Sequence, residues 1–259
     1  MTTMQRPVGE QLRHWRERRR LSQLDLALSA EISTRHLSFL ENGRSRPSRD
    51  MVLRLGERLD VPLRERNRML LSAGYAPVYP ENALTDLGAA LEAVRHLLAG
   101  HEPYPALVVD RGWDLVESNS GLALLTARVA PELLEPPVNV LRVALHPRGL
   151  APHVVNLGQW RAELLGRLRR QVEITADQDL ADLLAEVSAY PCDQPAGEMP
   201  PGSVFVPLRL RHGDGELRLL STVATFGTAL DVTLAELVIE SFYPADAATR
   251  AVLTGPAPA

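Results

Sequence analysis

The sequence predicts an all-α head followed by an α+β body with an antiparallel sheet. Three observations predict it. Up to about residue 73, apolar residues recur at spacings of three and four in short runs divided by cap and turn signals, the pattern of short amphipathic helices. Gly74-Tyr75-Ala76-Pro77, continued through Pro80 to Glu81, is a breaker. Beyond Tyr104 the pattern changes to strand-like runs that face each other across turn residues. The boundaries expected are 1–75 for a five-helix head, 76–103 for a linker helix and 104–259 for the body.

Val8 to Arg20 reads as the first helix, with Val8, Leu12 and Trp15 inward. Ser22 and Asp25 form a capping-box start for the second, in which Leu24, Ala27 and Leu28 make an apolar stripe. Ser33 caps the third. There Leu37 and Leu40 point inward, and at about 100° per residue Arg35, Ser38, Phe39 and Asn42 point roughly the other way. Gly43 ends that helix, since glycine tolerates the left-handed backbone of a helix terminus. Pro47-Ser48 opens the fourth, Arg49 to Leu59, with Val52, Leu55 and Leu59 inward. Leu63 to Ala73 is the fifth. A short helix with leucines inside and an arginine among small polar groups outside is built to lie in a DNA groove.

These residues carry a family resemblance. "SQLDLA…ISTRHLSFLENGRSRPS" resembles the helix-turn-helix of the XRE, or Cro/C1, type over about residues 8–62. The resemblance implies double-stranded DNA as partner. It implies base contacts from Thr34, Arg35 and Ser38, and phosphate contacts from Gln23, Asn42, Arg44, Arg46 and Arg49. Phe39 departs from the polar residue common at its place, and either meets a thymine methyl or packs. Arg35 is the candidate for bidentate reading of a guanine. The resemblance also implies a structural ion pair, Arg16 with Glu41.

In the linker, apolar residues at 84, 87, 91, 94, 97 and 98 make an amphipathic helix, which either packs on the body or pairs with a second copy. In the body, 106–110 and 113–118 are strand-like around an Arg111-Gly112 turn. A helix follows over 119–127, a short apolar run over 139–145, and helices over 158–171 and 179–190. Residues 191–202 are proline-rich and read as a loop. Strands are expected over 204–211 and 216–225, a last strand over 234–242, and a terminal helix over 245–253.

Two strands, helices, then three antiparallel strands is the order of a PAS-like sensor. "ALVVDRGWDLVESN", "NVLRVALHPRGLAPHVVNLGQWRAELLGRLRRQ" and "STVATFGTALDVTLAELVIESFYPAD" resemble the MmyB-like ligand-binding domain over about residues 104–253. The resemblance implies a PAS-like fold and a fatty acid or similar apolar ligand in its pocket. From the residues alone, helices across a half-open sheet leave an apolar hollow. Trp113, Leu115, Phe205, Leu219, Val223 and Phe226 are its candidate lining, and each is also an ordinary core residue.

Composition bounds the rest. With 45% apolar and 23% charged residues the chain is that of an ordinary globular protein. Its one cysteine, Cys192, rules out a disulfide framework. The start MTTMQRPVGEQL lacks a signal-peptide core, and no run reaches the roughly 18 apolar residues of a spanning helix. A cytoplasmic protein without membrane contact is expected. The net charge of −4 divides unevenly: residues 1–75 hold 15 Arg and 9 Asp+Glu, net +6, and the remainder 13 Arg and 23 Asp+Glu, net −10. A basic head on an acidic body suits a DNA-binding module with a separate sensing domain. All 28 basic residues are arginine, so an arginine run by itself says little.

His146, His153 and His212 lack the helical spacing of a metal site. Neither a nucleophile elbow nor a phosphate or dinucleotide loop occurs, and Cys192 lies in an acidic loop. No enzyme, metal or required cofactor is expected. A homodimer is, because one head makes few base contacts. The alternative is a protein-interaction adaptor or antitoxin-like module using the helical head.

Overall fold

The computed structural model describes residues 6–175, 177–197, 205–227 and 229–255. The chain divides into two units, the first of residues 1–86 with 227–235 and the second of the remainder.

The first unit opens with α1 (Val8–Arg18), α2 (Gln23–Ser29), α3 (Thr34–Glu41), α4 (Arg49–Arg58) and α5 (Leu63–Ser72). Its core encloses Leu12, Leu26, Leu37, Leu40, Leu55 and Met69 completely. The ends of the helices follow local chemistry. The Ser22 and Asp25 side chains satisfy each other's amides at the start of α2, and Ser33 and Ser48 cap α3 and α4. α1 and α3 touch backbone to backbone at Gly9, where a Cβ would collide with the carbonyl oxygen of Leu40.

Two expectations change. The first helix stops at Arg18 because Arg20 takes a left-handed backbone, φ 55°. In α2 the inward residues are Leu26, Ala27 and, just after its end, Ala30. Leu24 and Leu28 share the outer face, 55% and 68% exposed. The cap at Ser22 sets the phase of this short helix, and that phase turns the i,i+4 leucine pair outward.

The second unit begins with α6 (Gly88–Ala99), preceded by a short 3₁₀ turn over Leu84–Asp86 rather than one continuous helix. α6 buries Val94 and Leu98 and leaves Leu97 exposed. Then come β1 (Ala106–Val109), β2 (Leu115–Ser118), α7 (Leu122–Thr126), α8 (Val140–Leu145), α9 (Leu157–Thr175), α10 (Gln178–Ala189), β3 (Leu208–His212) and β4 (Gly215–Thr225). The first-unit segment supplies α11 (Val232–Ala235), and β5 (Val238–Pro244) and α12 (Ala247–Thr254) complete the described chain. The last strand thus starts at Val238, after a short helix the alternation did not show. The expected strand from 204 begins only at Leu208; Val204 itself lies outside the described residues.

Among the described residues the five strands form one antiparallel sheet, ordered β2-β1-β5-β4-β3. The last strand therefore inserts beside the first, pairing Val108 with Ile239 and Thr222 with Ser241. One apolar cluster joins Leu107, Leu208, Leu219 and Phe242 of the sheet to Leu141 of α8, Trp160, Leu164 and Leu168 of α9, and Leu183 of α10. Asn139 caps α8, and Asn119, buried before α7, ties Ala106 N–H to the carbonyls of Leu98 and Tyr104. Asn156 bridges the start of α9 to β3 through Pro207 and Arg209.

Candidate nucleic-acid interface and ligand cavity

The outer face of α3 is set by what its inner face must bury. Leu37 and Leu40 enter the core, and Glu41 follows with a fully buried side chain. That leaves Arg35 and Asn42 exposed, and Thr34, Ser38 and Phe39 partly exposed beside them. The Arg35 guanidinium stands 5.3 Å over the Phe39 ring, a cation–π contact that steadies a long side chain without enclosing it. Phe39 therefore supports Arg35 from the outer face. Asn42 donates to the Ser38 carbonyl at 2.8 Å and accepts from Arg13 at 2.5 Å. Arg13, exposed on α1, joins the basic rim, a residue that the helical pattern of the sequence did not single out.

Beneath this face Glu41 holds two helices to α3. Arg16 reaches it from α1, with Nε at 2.7 Å and Nη2 at 3.0 Å, and Gln23 Nε2 reaches it from α2 at 2.8 Å. Burial pushes the Glu41 carboxyl up, but the hydrogen bonds from Arg16 and Gln23, with the charges of Arg16 and Arg13, hold it below the usual carboxylate value. The hydrogen bond to Glu41 raises Arg16 in turn.

Two expected phosphate contacts are directed elsewhere. The Gln23 amide nitrogen is engaged by Glu41. Arg46 donates from Nη2 to the Ala73 carbonyl at 3.0 Å, closing the C-terminal end of α5, where a cation meets unpaired carbonyls. Arg44 and Arg49 are exposed and have no hydrogen-bond or ion-pair partner among the described residues.

The body holds an apolar pocket of about 100 Å³ between the sheet, α7, α8 and α9. Trp113 and Leu115 line it, with Leu122, Val143, Leu164 and Phe242 among others. The other candidates do not. Phe205, before β3 begins, is 52% exposed, and Val223, in the outer half of β4, is 49% exposed. Leu219 is fully buried but meets the core rather than the void, and Phe226 follows the end of β4, away from it.

Trp113 is fixed at the wall. Its backbone is left-handed, φ 67°, a conformation that costs a bulky residue and persists only where its surroundings enforce it. Its indole N–H donates to Gln171 at 2.7 Å, and the Arg167 guanidinium lies 4.9 Å from its ring. Arg167 also binds both oxygens of Glu240, at 3.1 and 3.3 Å. Glu240 is itself a lining residue, 5% exposed. Sequence reasoning passed over it, although a signal was present: Val238, Glu240 and Phe242 alternate on β5, and a carboxylate breaks the inward apolar series.

A helix-turn-helix head with an outward basic face, joined to an α+β domain with an apolar pocket, defines a DNA-binding regulator with a ligand-binding domain. The comparisons agree. The model of the MmyB-like transcription regulator ligand binding domain matches residues 91–254, well over half of the chain, and the chain belongs to that family. A helix-turn-helix domain model matches residues 7–69. No curated protein matches the chain at a significant level.

Proposed function

We propose that the chain is a sequence-specific transcription regulator of the XRE type that acts in the cytoplasm, binds operator DNA as a homodimer, and binds rather than transforms its ligand. The outer face of α3 is the observation behind this reading: leucines inward, Arg35 exposed and steadied by Phe39, and Thr34 and Ser38 beside it. Arg44 and Arg49 supply phosphate contacts around that face. Pairing two heads on half-sites one helical turn apart multiplies the few contacts each makes. Selection of bound sequences from a random DNA pool at low salt tests the reading. Enrichment of a two-fold symmetric site supports it, and recovery of no preferred sequence overturns it.

The body senses a small apolar ligand. A fatty acid is the occupant the family resemblance implies, and the lining suits an acyl chain. A cavity of about 100 Å³ admits only a short stretch of such a chain unless its walls part, since ligand pockets commonly run to roughly 300 Å³ or more. A ligand that binds one arrangement of the domain better than another shifts the population of heads competent for DNA.

A second reading has one observation in its favour. Leu24 and Leu28 form an exposed apolar pair on α2, which suits a protein partner of an adaptor or antitoxin-like module. Stoichiometric capture of one protein by a chain that selects no DNA is the outcome that reading requires.

A further inference from the structure

The cavity wall is almost wholly hydrocarbon, and its exceptions set the chemistry of the occupant. Among the lining residues only Thr126 and Glu240 carry side-chain oxygen. The Thr126 hydroxyl is turned to the carbonyls of its own helix, Leu122 at 3.3 Å and Ala123 at 3.4 Å. The Trp113 N–H is engaged by Gln171. Trp160 also lines the cavity, and its indole N–H has no partner among the described residues.

Glu240 is different. Its hydrogen bonds come from one nitrogen of Arg167, and a carboxylate offers about four lone-pair directions. Acceptor capacity is therefore left at the edge of an apolar void. Arg167 is not itself part of the wall, and Glu240 is the one charged residue among those that line it.

We infer that the cavity selects a small uncharged molecule whose one polar group donates a hydrogen bond, such as an alcohol or phenol, with Glu240 as its acceptor. This inference rests on the reading of the cavity as the ligand site. Each competing class meets a physical cost. An ionised carboxylate brings a second negative charge against Glu240 with little water to screen it. An ammonium gives up its hydration beside a carboxylate already balanced by Arg167. A pure hydrocarbon, or an ether, leaves the Glu240 acceptor unfilled. A fatty acid meets the same rule and enters as the neutral acid, whose hydroxyl is the donor. Size adds a limit, because a cavity of roughly 150 Å³ is what benzene occupies in an engineered core. The present void of about 100 Å³ is smaller.

Three probes of near-equal size test the inference on the full chain: 1-butanol, methyl propyl ether and butanoate, at pH 7. Binding is followed by NMR through the indole N–H signals of Trp113 and Trp160. The expected result is a saturable shift with 1-butanol, at least about tenfold weaker binding of the ether, since a hydrogen bond to a charged acceptor discriminates at about that level, and binding of butanoate weakened by at least about a hundredfold, because only its small neutral fraction at pH 7 enters. In E240Q the gap between alcohol and ether closes and butanoate binds more tightly than to the unaltered chain. Butanoate binding as tightly as 1-butanol, or the ether matching the alcohol, overturns the inference while leaving the cavity a ligand site. No saturable shift with any probe overturns the ligand-site reading as well. The unaltered chain decides between these outcomes even if E240Q folds poorly.

Discussion

Arg16 grips Glu41 with two nitrogens, at 2.7 and 3.0 Å, and the carboxylate it holds is completely enclosed. The contact joins α1 to the last residue of α3, so the angle at which the outer face of α3 is presented depends on it. Removing one partner of such a pair leaves the other charge without compensation.

Glu41→Ala is expected to destabilise the head by about 3–5 kcal/mol, the range for breaking a buried pair. Arg16→Ala leaves Glu41 with Gln23 and the more distant Arg13, 3.6 Å away, and acts in the same direction. Chemical denaturation of the full chain, followed at Trp15 on α1, reads the change. A loss below about 1 kcal/mol in both variants, the level of an exposed pair, would sink the assignment.

The same carboxylate predicts a pH dependence. Its folded-state value lies below the unfolded one. Its contribution is therefore fully present above the unfolded value of about 4.3 and disappears as pH falls through the lower folded value. The head should weaken on acidification below about pH 4.3. Glu41→Gln should be less stable at neutral pH and show a flatter acid limb. Parallel acid limbs in the two proteins would remove Glu41 as the cause.

On α3 and its rim, three arginines should separate into three behaviours. Arg35→Ala loses discrimination at one base position, at about 1–3 kcal/mol, without unfolding the head. Arg44→Ala weakens binding to all sequences alike and lowers the salt dependence. Arg46→Ala lowers thermal stability first, because its guanidinium closes the end of α5. Binding titrations at several salt concentrations, beside melting curves, distinguish the three. A stable Arg46→Ala head with uniformly weakened binding would restore Arg46 to the phosphate contacts.

Why α3 was legible in the sequence and the cavity was not follows from distance along the chain. Ser33, Leu37, Leu40 and Gly43 set the cap, phase and end of α3 within eleven positions, so the outer face of Arg35, Ser38 and Asn42 follows from local rules. α2 misled because its seven residues give less than two periods, and its leucines outnumber its inward places. The partners of Gln23 and Arg46 are tertiary, 18 and 27 residues away. In the body, strand alternation marked Phe205, Leu219 and Val223 as buried candidates but not which of them meet the void. Glu240 reaches the wall with Trp113 only because β5 inserts beside β1, a pairing no local pattern records.

Filling the cavity should separate ligand response from folding. Ala144 lines the void and is only partly buried. Ala144→Leu places three more carbons there, at a stability change within about 1–3 kcal/mol if the space accepts them. The variant should lose the 1-butanol shift at Trp113 and Trp160 while its head still binds the selected DNA. An unchanged titration would place the occupant elsewhere.

The segment between β4 and β5 gives the last prediction. Residues 227–235 belong to the first unit, where Asp231 accepts from the Asn82 side chain at 2.8 Å and Val232 N–H donates to the Pro80 carbonyl at 2.8 Å. Thr233 adds a bond to the Asn82 carbonyl, and Val232 is fully buried. Both strands run directly into this segment, so a shift of β5 at Glu240 has a covalent route toward it. Val232→Ala should cost about 1–3 kcal/mol through lost packing and speed amide exchange at Val232 and Asn82. It should also reduce the change in operator affinity that an occupant of the cavity produces, while intrinsic operator binding and the 1-butanol titration stay as they were. An undiminished ligand response in Val232→Ala would mean that the signal reaches the head by another route.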